Sequence, residues 1–553
     1  MTKNRLSEKG TIGSLELRNR IVMAPMISNL ANPDGSTNEN HIAYLEERAK
    51  GGVSLIITEY SYINGRNARG SRNELGFHNS DFIPKLRRLT ERVHSHEAYI
   101  FAQLVHAGGK AQLETNPGPP RAPSSVDYMG LVPDSMDQGE IDEAIGDFVR
   151  AASVARRSNF DGIELHGAHG YLIHSFLSPS LNHRNDSYGV NFEGRIKFAQ
   201  SVIDAIRREV DINLGIRLSL YEDETDGYGP DYGLKIAEAL HSVDYVHFSA
   251  GRFSPPGSSA SFYEKRTHIS DRLPRKPAVT SIVAGSVLDG DDAIRVLAKA
   301  DFVAVGRALL ADPFFAINLI HGRNNRPCIR CNQACRDITL GEVRCTVNPD
   351  TGFELYASLP CVEGVKAMSI AGGGIKGMEA ALFASRAGIK VTLYEMRDRL
   401  GGQLLDITDR EKKEAFSALI RYYERALAEA KVDVRLNEKF DGEGLYCLPN
   451  RTYENLPVKR SLIVDSNIYK HQDEILETAK GTRVTVTERS LNSLDRVRNA
   501  AYRRKALSLG VEFAESTQGR PDISISERNQ YDIRSAMIAG REAVRLYIAS
   551  RRS

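Results

Sequence analysis

Four cysteines stand close together near the middle of the chain: Cys328, Cys331, Cys335 and Cys345. Their spacing is C-x2-C-x3-C-x9-C, so four of the six cysteines fall within 18 positions. Thiolates ligate soft metal centres, and four of them suit an iron–sulfur cluster or a structural zinc ion. Zinc ribbons usually pair two C-x2-C knuckles and the second is absent here, so the spacing predicts a four-iron cluster, with zinc, disulfides or free thiols as alternatives. The two isolated cysteines, Cys361 and Cys447, are interpreted as buried thiols.

A second group of reactive side chains lies at the end of a short apolar segment, 162–167, and just after it: His166, His169 and Tyr171. Imidazole N–H groups stabilise a developing oxyanion, and a phenol can deliver a proton. A single histidine is more often a core or surface residue than a catalytic one. Two histidines and a tyrosine at i, i+3 and i+5, at the end of one strand, favour a catalytic site.

Eight apolar segments precede the cysteines, and each is followed by a helical stretch. They span residues 20–25, 53–59, 98–104, 162–167, 213–219, 244–250, 278–283 and 301–306. Continuous apolar strands that alternate with amphipathic helices are typical of a parallel sheet, and eight repeats predict a closed (β/α)8 TIM barrel. Active sites of this fold lie at the C-terminal ends of the strands, so the polar residues there are the candidates.

Further candidates follow the other strands of the predicted barrel: Pro25, Met26, Gln103, Arg217, Gly285, Gly306 and Arg307. A glycine turn and an arginine after the seventh and eighth strands are where such barrels bind phosphate. A guanidinium group such as that of Arg307 can hold phosphate through two parallel hydrogen bonds. An ordinary strand-to-helix turn is the alternative interpretation of Gly306 and Arg307.

A glycine-rich turn lies after the cysteines, with the spacing G-x-G-x-x-G formed by Gly372, Gly374 and Gly377. A strand before this turn and a helix after it are typical of dinucleotide-binding domains. The next predicted strand, 390–394, is followed by Glu395, where an acidic residue can accept hydrogen bonds from a ribose. The pattern predicts a Rossmann-like nucleotide site, with a vestigial Rossmann layer as the alternative.

Residues 166–195, HGAHGYLIHSFLSPSLNHRNDSYGVNFEGR, resemble the Old Yellow Enzyme family of FMN-dependent oxidoreductases. The resemblance covers nearly all of the first 325 residues. With the Cys328–Cys345 segment added, the chain resembles the branch of 2,4-dienoyl-CoA reductase and trimethylamine dehydrogenase. The resemblance implies that Pro25, Met26 and Gln103 contact the flavin ring and that Arg217 lies at flavin N1 and O2. It implies that the FMN phosphate is bound by Gly285, Gly306 and Arg307. It also implies that His166 and His169 bind an acceptor oxygen of the substrate and that Tyr171 donates a proton.

The C-terminal part both continues and departs from this resemblance. The segment 399–403, RLGGQ, is similar to the family's continuation and implies a nucleotide contact for Gln403. Three later features differ: no glycine follows the predicted strand 461–465, no Ala-Thr-Gly-type turn occurs around 445–450, and the late Gly-Asp pair is replaced near 522–526. These departures leave FAD or ADP as the expected occupant, with NAD(P)H as the expected electron donor. Because the chain has no tryptophan, the tryptophan-built substrate cage of trimethylamine dehydrogenase is not expected.

Five parts are predicted along the chain. They are an FMN-binding TIM barrel at 1–325, an iron–sulfur segment and linker at 326–367, the first part of a Rossmann-like domain at 368–460, a reduced second nucleotide-binding-like domain at 461–516, and a return to the first Rossmann-like domain at 517–553.

The charge balance restricts the possible partners. Lys+Arg number 73 against Asp+Glu 71, which argues against a dedicated nucleic-acid surface or a polybasic membrane anchor. The sequence has no apolar run of 18 residues, and its N-terminus lacks the apolar core of a signal peptide. We therefore expect a cytoplasmic homo-oligomer with a small-molecule substrate and an electron donor or acceptor that can be a protein.

These features together predict an FMN- and iron–sulfur-dependent oxidoreductase that reduces an activated C=C bond or catalyses the reverse dehydrogenation. One alternative is an amine dehydrogenase-like enzyme that passes electrons through the cluster to a protein acceptor. The other alternative is a non-catalytic binding protein derived from the same family. Specificity is expected to reside in loops 64–72 and 117–137.

Overall fold

The computed structural model describes residues 4–128, 130–253, 268–336, 341–362, 364–448, 455–466, 469–488, 496–515, 521–525 and 532–551. Its first part is a closed barrel of eight parallel strands. The strands are Ile21–Met23, Leu55–Tyr62, Tyr99–Val105, Gly162–Gly167, Asn213–Ser219, Tyr245–Ser249, Thr280–Ala284 and Phe302–Val305. Each of them overlaps one of the eight predicted segments, so the predicted TIM barrel is confirmed.

Helices cover the outside of the barrel, because each strand is followed by at least one helix that packs an apolar face on the sheet. The helices are Glu39–Lys50, Ile83–His94, Gln138–Arg157, Phe192–Glu209, Pro230–Ala239, Ile269–Arg272, Gly290–Leu297, Arg307–Ala311 and Phe315–His321, with Leu172–Leu177 above the fourth strand. Side-chain caps fix several helix starts. The longest of these helices begins with a capping box between Asp137 and Glu140, which satisfies N–H groups that a helix start leaves unpaired.

The N-terminal end of the barrel is closed. A short helix, Asn4–Ser7, is followed by an antiparallel hairpin of Gly10–Ile12 and Leu15–Leu17. Ile12 and Leu17 are fully buried in one cluster with barrel side chains such as Phe101 and Phe302. The opposite, C-terminal end of the barrel is therefore the end at which a ligand can enter.

The cysteine segment folds back onto the C-terminal end of the barrel. The Val343 N–H donates to the Ser28 carbonyl at 2.7 Å, and the Asn29 side-chain amide donates to the Gly341 carbonyl at 3.3 Å. Ser28 and Asn29 belong to the loop that follows the first barrel strand. The cysteines thus lie beside the barrel mouth.

Two parallel four-stranded sheets follow the cysteine segment. The strand order of the first is Asp433–Leu436, Lys390–Glu395, Ala367–Ala371, Leu445–Tyr446, with helices Ile375–Arg386 and Arg410–Glu429. The order of the second is Glu512–Ala514, Arg483–Thr487, Ser461–Ser466, Ile523–Ile525, with helices Tyr469–Thr478 and Arg496–Ser508. Both have the order third, second, first, fourth, which is the order of a mononucleotide-binding half. The predicted α/β fold with a Rossmann-like module is confirmed.

The last helix, Ile533–Ala549, returns to the first of these sheets. Gly540 lies so close to helix Ile375–Arg386 that a Cβ atom there would stand 2.4 Å from the Lys376 carbonyl oxygen. A buried ion pair at 2.6 Å joins Lys412, on helix Arg410–Glu429 of the first sheet, to Asp473, on helix Tyr469–Thr478 of the second. The proposed division into five parts remains a prediction.

A buried charge cluster connects the cysteine segment to the nucleotide-binding module. Arg326 donates to the Val347 carbonyl at 2.7 Å and pairs with Glu379 at 3.3 Å. The Glu379 carboxylate also accepts hydrogen bonds from Tyr423 and Arg541, both at 2.6 Å. Two arginines and a phenol therefore satisfy one buried carboxylate, which fixes the module against the residues that flank the cysteines.

The two isolated cysteines differ in burial. Cys447 is buried as predicted, but Cys361 is exposed, because it lies in the linker before strand Ala367–Ala371, where most side chains face solvent. The three C-terminal segments that differ from the family each contain positions outside the described residues. These positions are 467 and 468 after strand Ser461–Ser466, 449 and 450 in the region 445–450, and 526 in the segment 522–526. Among the helices that the structure describes, none is long and apolar enough to cross a membrane.

Candidate active site

Gln103 and Glu164 occupy paired positions on the third and fourth barrel strands. The Gln103 amide nitrogen donates to a Glu164 carboxylate oxygen at 2.6 Å, and Tyr245 and His247 hydrogen-bond to the other oxygen at 3.0 and 2.9 Å. This contact turns the Gln103 amide so that its carbonyl oxygen is buried without a protein partner among the described residues. A buried acceptor of this kind suits an N–H donor of a ligand.

Arg217 lies on the fifth barrel strand, paired with His166 on the fourth. Its guanidinium donates to the Pro25 carbonyl at 3.4 Å, while the buried Nε–H has no protein partner within the described part of the chain. Burial lowers the pKa of Arg217 to about 10, so the side chain stays charged at neutral pH. Arg217 thus contacts the loop that carries Pro25, and the flavin contacts of Gln103, Arg217 and Pro25 remain predictions.

His166 and His169 lie at the end of the fourth strand with ring centroids 5.3 Å apart. Burial, and next the charge of Arg217, holds the pKa of both imidazoles well below the usual 6.5, so both rings are neutral. The Nδ1 atom of His166 is buried and unpartnered among the described residues. The Nε2 atom of His169 contacts the Ser249 hydroxyl at 2.8 Å.

The turn that carries His169 has an unusual backbone. His169 has a φ of +59°, a left-handed conformation that side chains other than glycine seldom adopt. The Ser219 hydroxyl accepts the His169 N–H at 3.2 Å, and His174 Nδ1 accepts the Gly170 N–H at 2.8 Å. The other ring nitrogen of His174 contacts the Tyr228 hydroxyl at 3.0 Å. These side chains, to which no role was assigned from sequence, hold the turn in its strained conformation.

Tyr171 stands beside His166, with ring centroids 4.7 Å apart, and is the residue before helix Leu172–Leu177. Tyr60 packs on the other side of Tyr171, with ring centroids 5.2 Å apart. Burial raises the pKa of Tyr171 to about 12, and the hydrogen bond from Tyr60 opposes this rise. Tyr171 is therefore a protonated phenol at neutral pH, next to two neutral imidazoles.

Sequence reasoning missed Tyr60 because the predicted second strand ended one residue before it. The strand continues to Tyr62, and its pairing with the third strand is irregular between Ile57 and Tyr60. The irregularity places Tyr60 opposite Gln103 at the mouth. A short apolar segment of sequence does not reveal where a β-bulge occurs, although β-bulges often lie next to active sites.

Two basic side chains act on Tyr171, and burial, followed by the charge of Arg336, lowers the pKa of one of them, Lys110, to about 7. The Lys110 ammonium is 4.3 Å from the centre of the Tyr171 ring and donates to the carbonyls of His169 and Phe253 at 3.0 and 2.8 Å. Arg336 comes from the cysteine segment and acts electrostatically on Tyr171 and on Lys110. Neither cation was assigned a role from sequence, and Arg336 is brought here only by the folding of the cysteine segment over the mouth.

The expected phosphate site lies after the seventh and eighth strands. Gly285 has a φ of +130°, and a Cβ atom at Gly306 would lie 3.1 Å from the Met26 sulfur, so this glycine allows Met26 to approach the turn. Arg307 begins helix Arg307–Ala311, and its guanidinium donates to the Asn332 side chain, between Cys331 and Cys335. Arg307 therefore joins the expected phosphate turn to the cysteine segment, and its phosphate contact remains a prediction.

All four clustered cysteines line one cavity, together with Arg307, Leu310 and Thr346. Burial, and then the neighbouring thiols, raises the pKa of Cys331, Cys335 and Cys345. Among the described residues no group of three or more His, Cys, Asp or Glu side chains is arranged to hold a single metal ion. Four soft donors around one cavity are compatible with the predicted cluster, and the identity of the metal centre remains a prediction.

The glycine turn of the module has the geometry of a nucleotide site. Gly372 has a φ of +106°, and a Cβ atom at Gly377 would lie 1.8 Å from the Gly372 carbonyl oxygen, so both positions require glycine. Gly374 precedes helix Ile375–Arg386 and makes no side-chain cap, which leaves helix N–H groups for a diphosphate. The Glu395 carboxylate accepts the Gly373 N–H at 2.7 Å, and Gln403 is exposed in the adjacent short helix Gly402–Asp406.

Comparisons with known proteins agree with this architecture. The model of the NADH:flavin oxidoreductase / NADH oxidase family matches residues 10–326, and that of an NAD(P)-binding Rossmann-like domain matches residues 370–430. An NADH oxidase of Thermoanaerobacter brockii is 37% identical over 80% of this chain and 71% of its own length. A cinnamate reductase of Clostridium sporogenes is 32% identical over 77% of this chain and 70% of its own length.

A solved structure of 2-naphthoyl-CoA reductase in complex with 2-naphthoyl-CoA shares the fold, with a TM-score of 0.82 at 22% identity over 93% of this chain and 87% of that one. The comparisons confirm the resemblance to the Old Yellow Enzyme family, and they favour neither the amine-dehydrogenase alternative nor the non-catalytic one. The chain belongs to the NADH:flavin oxidoreductase / NADH oxidase family, and it is an FMN-dependent oxidoreductase with an NAD(P)-binding Rossmann-like domain.

Proposed function

We propose that this enzyme reduces a C=C bond conjugated to a carbonyl group, with NAD(P)H as the electron donor. The observation that carries the proposal is the placement of two neutral imidazoles and one protonated phenol around the same part of the barrel mouth. An alkene activated by a carbonyl group needs both kinds of group, since negative charge develops on the carbonyl oxygen while the α-carbon takes up a proton. FMN, when bound, supplies the hydride for the β-carbon.

Each protein group has one task in this proposal. His166 and His169 donate hydrogen bonds to the carbonyl oxygen, and Tyr171 gives its proton to the α-carbon. Because the imidazoles are neutral, they stabilise the oxyanion as it forms without protonating it. The overall change is balanced: NAD(P)H gives up one hydride, which carries both electrons, and the second hydrogen is a proton from Tyr171 that solvent later replaces.

The residues at the barrel mouth suit FMN. The unpartnered Gln103 oxygen is an acceptor for the flavin pyrimidine edge, and the Arg217 Nε–H is a donor beside it. Pro25 and Met26 lie along the ring, and Gly285, Gly306 and Arg307 receive the phosphate in this proposal. A buried cation near flavin N1 and O2 favours the negative charge of the reduced ring.

We assign a four-iron cluster to Cys328, Cys331, Cys335 and Cys345, because all four side chains line the same cavity. Such a cluster carries single electrons between donors and acceptors. In the module, Gly372, Gly374, Gly377, Glu395 and Gln403 are assigned to an adenine nucleotide, which is FAD or ADP. In this proposal the electron carrier lies between the nucleotide-binding module and the barrel mouth, which the ion pair of Arg326 with Glu379 supports.

An anaerobic titration tests the proposal. The purified protein is reduced with NADH or NADPH while flavin absorbance is followed, and trans-cinnamaldehyde or 2-cyclohexenone is then added. We expect the flavin to be bleached by one of the nicotinamides and reoxidised by the alkene, with one saturated product formed per two electrons. Reduction of the flavin by amines, without reoxidation by any activated alkene, would support the amine-dehydrogenase alternative instead.

A further inference from the structure

We propose that Glu164 is a positioning residue for FMN, because its carboxylate fixes the Gln103 amide in the orientation that leaves the amide oxygen for the flavin. The pyrimidine ring of a flavin presents an N–H group at N3, and only an acceptor complements that group. Glu164 therefore decides whether Gln103 offers the flavin an acceptor or a donor. The inference rests on the flavin contact proposed for Gln103 and concerns FMN binding alone.

Glu164 lies at the centre of a network of side chains inside the barrel. Gln103, Glu164, Tyr245 and His247 are all fully buried. Gln103 donates to one oxygen of the carboxylate at 2.6 Å, and Tyr245 and His247 share the other oxygen at 3.0 and 2.9 Å. These side chains come from the third, fourth and sixth barrel strands, so the network exists only in the closed barrel.

The fifth strand makes room for this network. Gly215 on that strand pairs with Glu164 on one side and with Tyr245 on the other. A Cβ atom at Gly215 would lie 2.1 Å from the nearest atom of the Tyr245 ring, so any larger residue would displace the ring. Because this position is glycine, the Tyr245 hydroxyl can reach Glu164 across the strand that separates them.

All three partners of the Glu164 carboxylate are donors. Burial, and next the charge of Glu164, holds the pKa of Tyr245 well above 10, so its hydroxyl keeps its proton. Burial lowers the pKa of His247 below the usual 6.5, so the ring is neutral and donates through Nδ1–H. Three donors around one carboxyl group favour its ionised form, which can only accept hydrogen bonds.

A neighbour that can only accept determines the orientation of Gln103. A glutamine amide has an NH2 group and a carbonyl oxygen, and only the NH2 group can bond to a carboxylate. The carbonyl oxygen of Gln103 is therefore turned away from Glu164, and it is buried without a protein partner among the described residues. A buried acceptor without a partner is unfavourable, and flavin N3–H is a donor that can satisfy it.

The substitution Glu164→Gln tests this argument, because it replaces one oxygen by an NH2 group at nearly constant size. Tyr245 and His247 donate to the same oxygen, so the substituted amide has to keep its carbonyl oxygen at that position. Its NH2 group then faces Gln103, and the Gln103 amide turns over to accept from it. The NH2 group of Gln103 would then oppose flavin N3–H, donor against donor.

The dissociation constant of FMN is measured on dilution series of the full-length holoenzyme. Free FMN is separated by ultrafiltration and quantified by chromatography, which also resolves FAD. We expect Glu164→Gln to raise the dissociation constant by about 10- to 100-fold, since a buried donor is left unsatisfied. Adding Gln103→Glu to Glu164→Gln restores a donor facing position 103 and an acceptor facing N3–H. This double variant should return to within about fivefold of the wild type.

Two further measurements separate this effect from general damage to the core. Glu222→Gln also replaces a buried carboxylate, but one that accepts from Ser178 and Ser180 at 2.6 and 3.0 Å, and it should keep the wild-type dissociation constant. FMN labelled with ¹⁵N at N3 reports the contact directly by NMR. We expect an N3–H signal protected from exchange in the wild type and in the double variant, and its loss in Glu164→Gln.

If Glu164 only supports the barrel core, a second change at Gln103 will not repair its loss. A wild-type dissociation constant in Glu164→Gln, or a defect that the double variant does not reverse, would therefore overturn the inference. If Glu164→Gln does not fold, the double variant decides alone: a folded protein that retains FMN supports the inference, and failure to fold overturns it.

Errors in the underlying assignments give different results. Unchanged FMN affinity in Gln103→Ala would show that the flavin contact of Gln103 is wrong, and the role of Glu164 would fall with it. Failure of the proposed reduction leaves FMN binding as expected in every variant, but no activated alkene reoxidises the flavin.

Discussion

The rings of Tyr60 and Tyr171 pack with their centroids 5.2 Å apart and their planes inclined by 46°. Tyr60 comes from the second barrel strand and Tyr171 from the turn after the fourth, so the contact exists only in the closed barrel. Hydrogen bonding with Tyr60 lowers the pKa of Tyr171 and so favours loss of its proton. Tyr60 is thus placed to assist the residue proposed as the acid.

Replacement of Tyr60 by phenylalanine removes this hydrogen bond and keeps the ring. The pKa of Tyr171 then rises further, because burial is no longer opposed, and proton donation becomes slower. We expect the reoxidation of reduced flavin by an activated alkene to slow by about 2- to 10-fold, the size of one hydrogen bond. Flavin content and reduction by NAD(P)H remain those of the wild type.

The measurement is stopped-flow absorbance of the flavin in both half-reactions. Tyr62→Phe is a matched control, since the Tyr62 hydroxyl donates instead to the Asp34 carbonyl, away from the mouth. If Tyr60→Phe and Tyr62→Phe behave alike, the Tyr60 hydroxyl has no part in proton delivery.

The protonation states of the imidazoles and of Tyr171 predict that neither titrates near neutral pH. The pKa values of His166 and His169 are held well below 6.5, so the rings gain protons only as pH falls far below that value. The pKa of Tyr171 is about 12, so its proton is lost only as pH approaches that value. Burial, and then the charge of Arg336, lowers the pKa of Lys110 to about 7, so any change in the rate of reoxidation by an uncharged alkene between about pH 6 and 9 is expected to come from Lys110. Such a change should be absent in Lys110→Met, and a change near pH 6.5 that persists in that variant would show that an imidazolium takes part.

Arg307 is predicted to hold the FMN phosphate while also contacting Asn332. Arg307→Ala should weaken FMN retention, since a charge-assisted hydrogen bond contributes about 1.5–3 kcal/mol. Asn332→Ala removes the contact between Arg307 and the cysteine segment and should retain FMN. FMN content after dilution and gel filtration distinguishes the two variants. Full FMN content in Arg307→Ala would show that the side chain serves the cysteine segment alone.

Cys328, Cys331 and Cys335 are each predicted to be needed for an iron–sulfur chromophore, because each thiolate fills one iron coordination position. Each Cys→Ser variant should lose most of its iron and sulfide, measured chemically on anaerobically purified protein. Cys361→Ser is the control, since Cys361 is exposed in the linker. Wild-type iron and sulfide content in all three variants would remove the cluster assignment.

The sequence predicted the parts of the fold that depend on local patterns. Eight apolar runs separated by amphipathic helices require a parallel barrel, and the strand before Gly372 and the helix after it follow from glycine spacing. His166, His169 and Tyr171 were found because they are close in sequence at the end of one strand.

The missed residues reach the site through long-range structure. Tyr60 depends on a strand irregularity, and Arg336 depends on the docking of residues near Val343 onto the loop at Ser28. Lys110 stands in a segment whose position at the mouth was predicted, but its contact with the His169 carbonyl depends on a strained turn. Such contacts join residues that are far apart in the chain, and no local pattern specifies them.

The most direct test of the proposed chemistry is stopped-flow analysis of Tyr171→Phe. The variant keeps the ring that contacts His166 and Lys110 and removes only the hydroxyl. We predict unchanged flavin content and unchanged reduction by NAD(P)H, with reoxidation by an activated alkene slowed by about 10²- to 10⁴-fold. Wild-type rates in both half-reactions would contradict the assignment of Tyr171 as the proton donor, and with it the proposed reduction at this site.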